Sequence, residues 1–323
     1  MIISAVTSAR ADVIKKDDML RGIDMTRAQC DVIHDTVWVG VFGRDFCVRY
    51  YLSTAGGEGR RPVVFMQGDY FGNIKNGAWV NTSDAKDINT DDLMQTADTF
   101  SKMTKTTAIY LARIGVEGTS GNHLWRKTEL ELALINVALD AIKHRYDFDG
   151  FHLVGQSGGS KLLGGLIELR HDITCAVSGS GRLDDVTARS KPGDPAHSYF
   201  DVAQNIPLLL QNRGLRIMLV TDPDDKSVPL AQQAGFVSKM RQSGRPVPEF
   251  MVQATDDSHH GVVAYARLVV AGCVLGKSDA EIASAVSTMV RRSAEYNARR
   301  QREIAARPTI AAAVAGLPAP QFR

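Results

Sequence analysis

Residues Phe151–Gly159 read FHLVGQSGG, and the architecture of the chain can be worked out from this stretch. Its first half is a continuous apolar run that predicts a buried strand, and the residues after it have the periodicity of a helix. The junction carries the pattern Gly-x-Ser-x-Gly, which places Ser157 on a sharp strand-to-helix turn. Gly155 and Gly159 lie where strand and helix approach each other, so both positions need small residues. We therefore predict that the Ser157 hydroxyl projects above the edge of a sheet.

On both sides of this turn, predicted strands alternate with predicted helices, which indicates βαβ units and a mostly parallel sheet with helices on both faces. Two strands joined by Gly43-Arg44-Asp45 predict a hairpin, and hence an antiparallel N-terminal edge. The predicted strands are Thr36–Phe42, Phe46–Leu52, Pro62–Met66, Thr107–Ala112, Phe151–Gly155, Ile173–Ser178, Leu215–Thr221 and Glu249–Ala254. The predicted helices are Asp91–Met103, Trp125–His144, Gly158–Leu169, Val228–Ser243, Val262–Val274 and Asp279–Ala305.

The chain shows no internal repeat and no clear linker, so we expect one domain over residues 1–323. Residues 1–31 are mixed and charged and predict an N-terminal arm. The irregular segment Arg182–Arg213 lies between two predicted strands and contains enough apolar side chains to be a small cap or lid. Residues 306–323 are rich in Ala and Pro and predict a flexible tail.

Composition limits the classes of partner. Hydrophobic residues make up 44% of the 323 residues, enough for a sizeable core, and the formal net charge is only +2. A near-neutral chain gives no reason to expect nucleic acid or an anionic membrane as partner, and no apolar run approaches the ~18 residues of a membrane span. A homo-oligomer is compatible with the basic C-terminal helix. We expect a cytoplasmic protein, or an exported one if Ser8-Ala9-Arg10-Ala11 is the remnant of a signal-peptide cleavage site.

The four cysteines match neither a disulfide framework nor a metal-binding spacing. Cys30 and Cys47 flank a predicted strand and would pair in an exported protein. Cys175 and Cys273 are expected to be buried free thiols.

A serine hydroxyl is a weak nucleophile and needs a base that a third group orients. In folds with this strand–turn–helix motif, the acid and the base follow later strands, in the order Ser, Asp or Glu, His. The loop after Leu215–Thr221 offers Asp222, Asp224 and Asp225, and the loop after the next strand offers His259 and His260. The coincidence of three motifs in this order is more specific than any one of them.

Together these motifs resemble the α/β-hydrolase superfamily, with the nearest likeness to prolyl-oligopeptidase-like and dienelactone-hydrolase-like catalytic domains over Pro62–Val274. Relatives often carry D-x-x-V-P at the acid and H-G at the base. The resemblance therefore implies an α/β-hydrolase fold with Ser157 as nucleophile, Asp225 as acid and His260 as base. Asp222 and Asp224 remain alternative acids, with capping or turn formation as their ordinary role, and His259 remains the alternative base.

The same likeness suggests where an oxyanion would bind. One donor is the N–H of Gly158, and the other is a main-chain N–H of Asp69 or Tyr70 in the loop after Pro62–Met66. Arg113 and His123, in or beside the loop after Thr107–Ala112, and Gln156, next to the serine, are candidate substrate-pocket residues.

These expectations describe a serine hydrolase that cleaves a carboxylic ester of a small molecule through an acyl-enzyme, without a cofactor. A peptidase or amidase acting on a short peptide with the same three residues is the first alternative. A non-catalytic binding protein with the same fold is the second. His259 and His260 beside Asp256 and Asp257 lack further ligands at metal-site spacing, so no metal is expected.

Overall fold

The computed structural model describes residues 12–71, 73–75, 78–80, 86–184 and 193–305. The predicted flexible tail, residues 306–323, lies outside the described residues, as do residues 1–11 of the predicted arm and residues 185–192 of the candidate cap. None of the helices in the described part of the chain combines the length and the apolar character that crossing a bilayer requires.

One eight-stranded sheet forms the centre of the protein. Its strands in chain order are β1 (Thr36–Val41), β2 (Arg44–Ser53), β3 (Val63–Met66), β4 (Ala108–Leu111), β5 (Phe151–Gln156), β6 (Ile173–Gly179), β7 (Arg216–Thr221) and β8 (Glu249–Met251). Their spatial order is β1-β2-β4-β3-β5-β6-β7-β8. Strands β3 to β8 pair in parallel, whereas β2 pairs antiparallel with both β1 and β4. The predicted mostly parallel sheet with an antiparallel N-terminal edge is therefore confirmed.

The hairpin at that edge turns one residue earlier than predicted. Val41 pairs with Arg44, so the turn consists of Phe42 and Gly43, and Arg44 and Asp45 belong to strand β2. Both turn residues have positive φ, 50° for Phe42 and 71° for Gly43. A two-residue turn of this hand matches the twist of the flanking strands. Glycine adopts a positive φ readily, so Gly43 is a recognisable turn residue. Phenylalanine rarely adopts it, so the sequence does not indicate that Phe42 belongs to the turn.

Helices cover both faces of the sheet. They are α1 (Lys16–Arg21), α2 (Arg27–Asp31), α3 (Thr90–Thr104), α4 (Glu129–Tyr146), α5 (Gly158–Leu169), α6 (Ile206–Gln211), α7 (Leu230–Gln242), α8 (Val263–Val274) and α9 (Asp279–Ala305). Two short ladders lie outside the main sheet, Val13–Ile14 with Ile88–Asn89 and Asn73–Lys75 with Ala78–Val80. Part of the predicted arm is thus anchored, because Val13–Ile14 is paired and Met19 of α1 is fully buried.

Side chains of the sheet alternate between two apolar cores. Val64 and Met66 of β3 pack into the core under α4, α5, α6 and α7, whereas Val63 and Phe65 pack into the core under α3, α8 and α9. This period of two is the geometry of a strand whose two faces are both covered. The central strands are held from both sides, so their carboxyl ends form a rigid edge for the loops that follow.

The helix after the Arg113–Thr128 loop starts later than predicted. Trp125 lies in a short 3₁₀ turn, Lys127 has a φ of 60°, and Thr128 is the N-cap, its hydroxyl accepting from the N–H of Glu131 over 3.4 Å. Helix α4 therefore begins at Glu129 rather than at Trp125. The apolar periodicity continues backwards into the 3₁₀ turn, which explains why the sequence alone placed the boundary too early.

All four cysteines form disulfides. Cys30 of α2 is bonded to Cys47 of β2, as predicted for an exported protein. Cys175 of β6 is bonded to Cys273 of α8, so the prediction of free thiols at these two positions is wrong, although their burial is confirmed. Helix α8 packs across β6, and this packing brings together two cysteines that are 98 residues apart.

Candidate active site

Ser157 occupies the turn between β5 and α5 in a strained conformation. Its φ of 53° and ψ of −114° lie in a region that residues with a side chain rarely adopt. A Cβ on Gly155 would lie 2.5 Å from the carbonyl carbon of Gly159, and a Cβ on Gly159 would lie 2.2 Å from the oxygen of Met66. Both flanking glycines are therefore required by close approach of the main chain, as the sequence indicated.

The loop after β3 crosses directly over this turn. A Cβ on Gly68 would lie 3.0 Å from the Cβ of Ser157 and 3.7 Å from its hydroxyl oxygen. Gly158, the first residue of α5, is equally close to this loop, because a Cβ there would collide with the carboxylate of Asp69. The main chain of residues 67–69 and the start of α5 thus enclose the Ser157 side chain from two sides.

Asp225 and His260 form a hydrogen-bonded pair. The Nδ1 atom of His260 lies 3.0 Å from Oδ1 and 2.9 Å from Oδ2 of Asp225. The main-chain N–H groups of Ser227 and Val228 also donate to Asp225 Oδ1, over 2.8 and 2.9 Å. Burial acts to raise the pKa of Asp225, but these hydrogen bonds outweigh it and hold the pKa below its ordinary value. Asp225 is therefore a fixed carboxylate behind the imidazole.

Two further contacts fix the loop that carries His260. The side-chain amide of Gln156 donates to the main-chain oxygen of His260 over 2.7 Å. Asp256 accepts from the N–H groups of His260 and Gly261 over 3.1 and 2.8 Å. Asp256 also accepts from the hydroxyl of Ser258, and its pKa is lowered to about 2 because these hydrogen bonds outweigh the opposing effect of desolvation. The position of the imidazole thus depends both on Gln156, next to Ser157, and on hydrogen bonds within the loop that carries His260.

A second Asp–His pair lies beside the first. Asp222, fully buried, is 3.1 Å from Nδ1 of His259, and it also accepts from the N–H groups of Asp224 and Ala254. His259 lines a neighbouring cavity with Asp256 and Asp257, whereas His260 lines the cavity that contains Ser157. Ligand atoms of Asp222, Asp224 and His259 lie within 4.8 Å of one another. Hydrogen bonds within the loops account for this cluster, so we assign no metal to it.

Ser157, Gly158 and His260 line one cavity of about 610 Å³ at the carboxyl edge of the sheet. Its other lining residues in the described part of the chain are Asp69, Phe71, Arg126, Lys127, Lys161, Arg182, Lys226, Ser227 and Val228. Among the hydrogen bonds of the described residues, none joins the Ser157 hydroxyl to His260. The two residues therefore share a cavity without being hydrogen-bonded to each other.

The three predicted substrate-pocket residues do not line this cavity, because their side chains are buried in the protein. Arg113 and His123 are fully buried, and Gln156 is 5% exposed; none of the three lines the cavity. Arg113 donates to both carboxylate oxygens of Glu131 over 3.0 Å, and to Asp69 and the oxygen of Gln67 over 2.8 and 3.2 Å. Arg113 therefore supports the loop over Ser157 from beneath instead of facing a substrate.

Asp69 and Tyr70 differ in where their side chains point. Asp69 lines the cavity and pairs with Arg113, Arg126 and Lys127 over 2.8, 3.0 and 2.7 Å. Desolvation acts to raise the pKa of Asp69, but the three positive charges hold it well below its ordinary value. The Tyr70 hydroxyl donates instead to buried Glu117 over 2.7 Å. Tyr70 is not among the described residues that line the cavity, whereas its neighbours Asp69 and Phe71 are.

Sequence reasoning missed the basic residues of the cavity. Lys161 lies one helical turn after Ser157, Arg182 follows β6, and Lys226 lies next to Asp225 in the loop after β7. These residues follow strands whose carboxyl ends lie at the same edge of the sheet. That position was the signal that could have identified them as lining the cavity.

Comparisons with known proteins agree with this architecture. No protein-family profile and no curated protein sequence matches the chain. Among solved structures, an esterase from Pyrococcus furiosus superposes with a TM-score of 0.52 at 12% identity, over 79% of this chain and 96% of the esterase. The chain has the α/β-hydrolase fold. A puromycin-hydrolyzing peptidase from Mycobacterium tuberculosis aligns with a TM-score of 0.48 at 13% identity, over 75% of this chain and 40% of the peptidase. Ser157, Asp225 and His260 follow strands β5, β7 and β8, respectively.

Proposed function

We propose that this chain is a serine hydrolase that cleaves a carboxylic ester of a small molecule. The observation that carries the proposal is that Ser157, on a strained turn, opens onto the same cavity as His260, whose Nδ1 is held by Asp225. The esterase with a similar fold supports ester hydrolysis as the reaction class. The reaction needs no cofactor.

Each group has a separate part in the proposed reaction. His260 takes the proton of Ser157 through Nε2, and the serine oxygen attacks the carbonyl carbon to give a tetrahedral oxyanion. Asp225 keeps the Nδ1 proton in place and stabilises the imidazolium. The N–H of Gly158 and a main-chain N–H of Asp69 or Tyr70 stabilise the oxyanion. His260 then protonates the leaving alcohol, and a water activated by His260 hydrolyses the acyl-enzyme.

A fluorophosphonate probe tests the nucleophile directly, because it phosphonylates an activated serine. We expect labelling of the native protein and loss of labelling in Ser157→Ala, with Ser238→Ala, an exposed serine of α7, as the matched control. Turnover of 4-nitrophenyl esters against aminoacyl 4-nitroanilides then separates esterase from amidase. Equal labelling of Ser157→Ala and the native protein would exclude Ser157 as the nucleophile.

We also propose that the protein works in an oxidising compartment. The two disulfides support this, since disulfides in the reducing cytosol are uncommon. This replaces the expectation of a cytoplasmic protein with the alternative of an exported one. Fractionation of cells that express the full-length gene, followed by activity measurements on each fraction, tests it, and activity confined to the cytosolic fraction would contradict it.

A further inference from the structure

The cavity over Ser157 is strongly basic. Five of its lining residues in the described part of the chain carry a positive charge: Arg126, Lys127, Lys161, Arg182 and Lys226. Asp69 is the acidic residue among the lining residues that the structure describes. A chain with a formal net charge of only +2 therefore concentrates positive charge at its candidate active site.

These cations come from separate parts of the fold. Arg126 and Lys127 precede α4, Lys161 is in α5, Arg182 follows β6 and Lys226 follows β7. Lys161 is 1% exposed, with its ammonium 5.6 Å from the centre of the Phe200 ring, whereas Lys226 is exposed at the rim. The positive charge of the cavity lining thus includes both a buried and an exposed side chain.

The nearby carboxylates of the described residues do not neutralise the charges of Arg182 and Lys226. Asp69 is shared by Arg126, Lys127 and the underlying Arg113, and Glu131 is already bonded through both oxygens to Arg113. The Lys226 ammonium donates to the main-chain oxygen of Asp257 over 2.6 Å. In the part of the chain that the structure describes, neither Lys226 nor Arg182 pairs with a carboxylate. At least these two charges remain available to a ligand.

We propose that this site selects substrates with an anionic group, such as a carboxylate, a few bonds from the scissile ester carbonyl. The inference rests on the proposed hydrolase function and names its substrate class. A cavity lined by one sign of charge raises the local concentration of the opposite ion, and charge-assisted hydrogen bonds to Arg and Lys hold it in place. A neutral ester of the same shape would leave the charges of Arg182 and Lys226 without an anion to pair with.

Binding to the Ser157→Ala variant tests the anion site without catalysis. We expect calorimetry to show glutarate binding at least about tenfold tighter than its dimethyl ester, with the difference shrinking as salt is added. Arg182→Gln and Lys226→Met in the same background should each weaken glutarate binding several-fold. Arg213→Gln and Lys102→Met, which remove exposed charges outside the cavity, are the matched controls and should leave it unchanged.

Turnover of a matched ester pair completes the experiment. We expect kcat/KM for 4-nitrophenyl hydrogen glutarate to exceed that for its methyl ester by about tenfold or more, and Arg182→Gln to reduce this ratio. Equal turnover of both esters, or equal binding of glutarate and its dimethyl ester, would overturn the anion proposal while the hydrolase function stands. Preferential glutarate binding without any labelling or turnover would overturn the hydrolase function and leave the anion site in place.

Discussion

The side-chain amide of Gln156 donates a 2.7 Å hydrogen bond to the main-chain oxygen of His260. The residue before Ser157 therefore holds the loop of the candidate base, and the hydrogen bond joins residues that are 104 positions apart. Gln156 is a positioning residue, since it is 5% exposed and does not line the cavity.

Gln156→Met keeps the length of the side chain and removes this hydrogen bond. We expect kcat to fall about fivefold, because a buried hydrogen bond contributes about 1 kcal/mol and the loop of His260 loses its anchor. KM should change little, since the substrate does not contact Gln156. Gln242→Met, an exposed glutamine of α7, is the control. A KM effect without a kcat effect would instead place Gln156 in substrate binding.

The two neighbouring Asp–His pairs predict unequal effects of matched substitutions. Asp225→Asn should lower kcat about 10³- to 10⁴-fold, because the amide stabilises the wrong tautomer of His260. Asp222→Asn should lower it less than about tenfold, since Asp222 pairs with His259 and can still accept from the N–H of Ala254 as an asparagine. Steady-state kinetics on the preferred ester compares the two, and the reverse ranking would transfer the catalytic role to Asp222 and His259.

Glu168 predicts a pH-dependent stability that is separate from catalysis. Burial is the main cause that raises the pKa of Glu168 from 4.5 to about 7, against an opposing hydrogen bond from Asn205. Below pH 4.5 the carboxyl is protonated in both the folded and the unfolded chain. Between pH 4.5 and about 7 only the unfolded chain ionises, so the native state loses stability as the pH rises, on the order of 2 kcal/mol because solvent screens a partly exposed group.

Glu168→Gln removes this loss and keeps an acceptor for Asn205. The variant should match the native protein in thermal unfolding at pH 4 and be more stable than it at pH 8. Glu58→Gln, at an exposed position, should show no such crossover. An unchanged difference in Tm across this range would show that Glu168 ionises normally.

The disulfides predict a ranked loss of stability. The loops that they close span 98 residues for Cys175–Cys273 and 17 residues for Cys30–Cys47. In the chain-entropy account, the free energy of unfolding should fall by about 5 kcal/mol for the double Cys→Ser variant of the longer loop and by about 3 kcal/mol for the shorter. Denaturant unfolding measures both. Four titratable thiols in the unfolded, unreduced protein would contradict the pairing.

Much of the fold was predictable because its signals are local. The apolar runs of β3, β5 and β7, with helical periodicity between them, are sufficient to predict a parallel sheet. The glycines on either side of Ser157 predicted that the main chain approaches closely there, and the structure confirms it. The order of the serine, aspartate and histidine motifs along the chain likewise indicated which loops would meet at one edge.

The remainder depends on contacts between distant segments. No local pattern shows that Cys175 lies under Cys273, or that Arg113 turns inward to Glu131 instead of toward a substrate. The same holds for the choice between His259 and His260, which are adjacent in sequence but line different cavities. The basic residues that line the site come from four separate segments of the chain. The nearly neutral overall composition therefore could not predict that they lie together.

The bond between Cys175 and Cys273 closes a covalent ring that contains both Asp225 and His260 but not Ser157. A protease that cuts one exposed peptide bond inside this ring leaves two fragments that remain joined through sulfur. The nicked protein would therefore keep Asp225 and His260 attached to the piece that carries Ser157, and would separate into fragments only after a reductant is added.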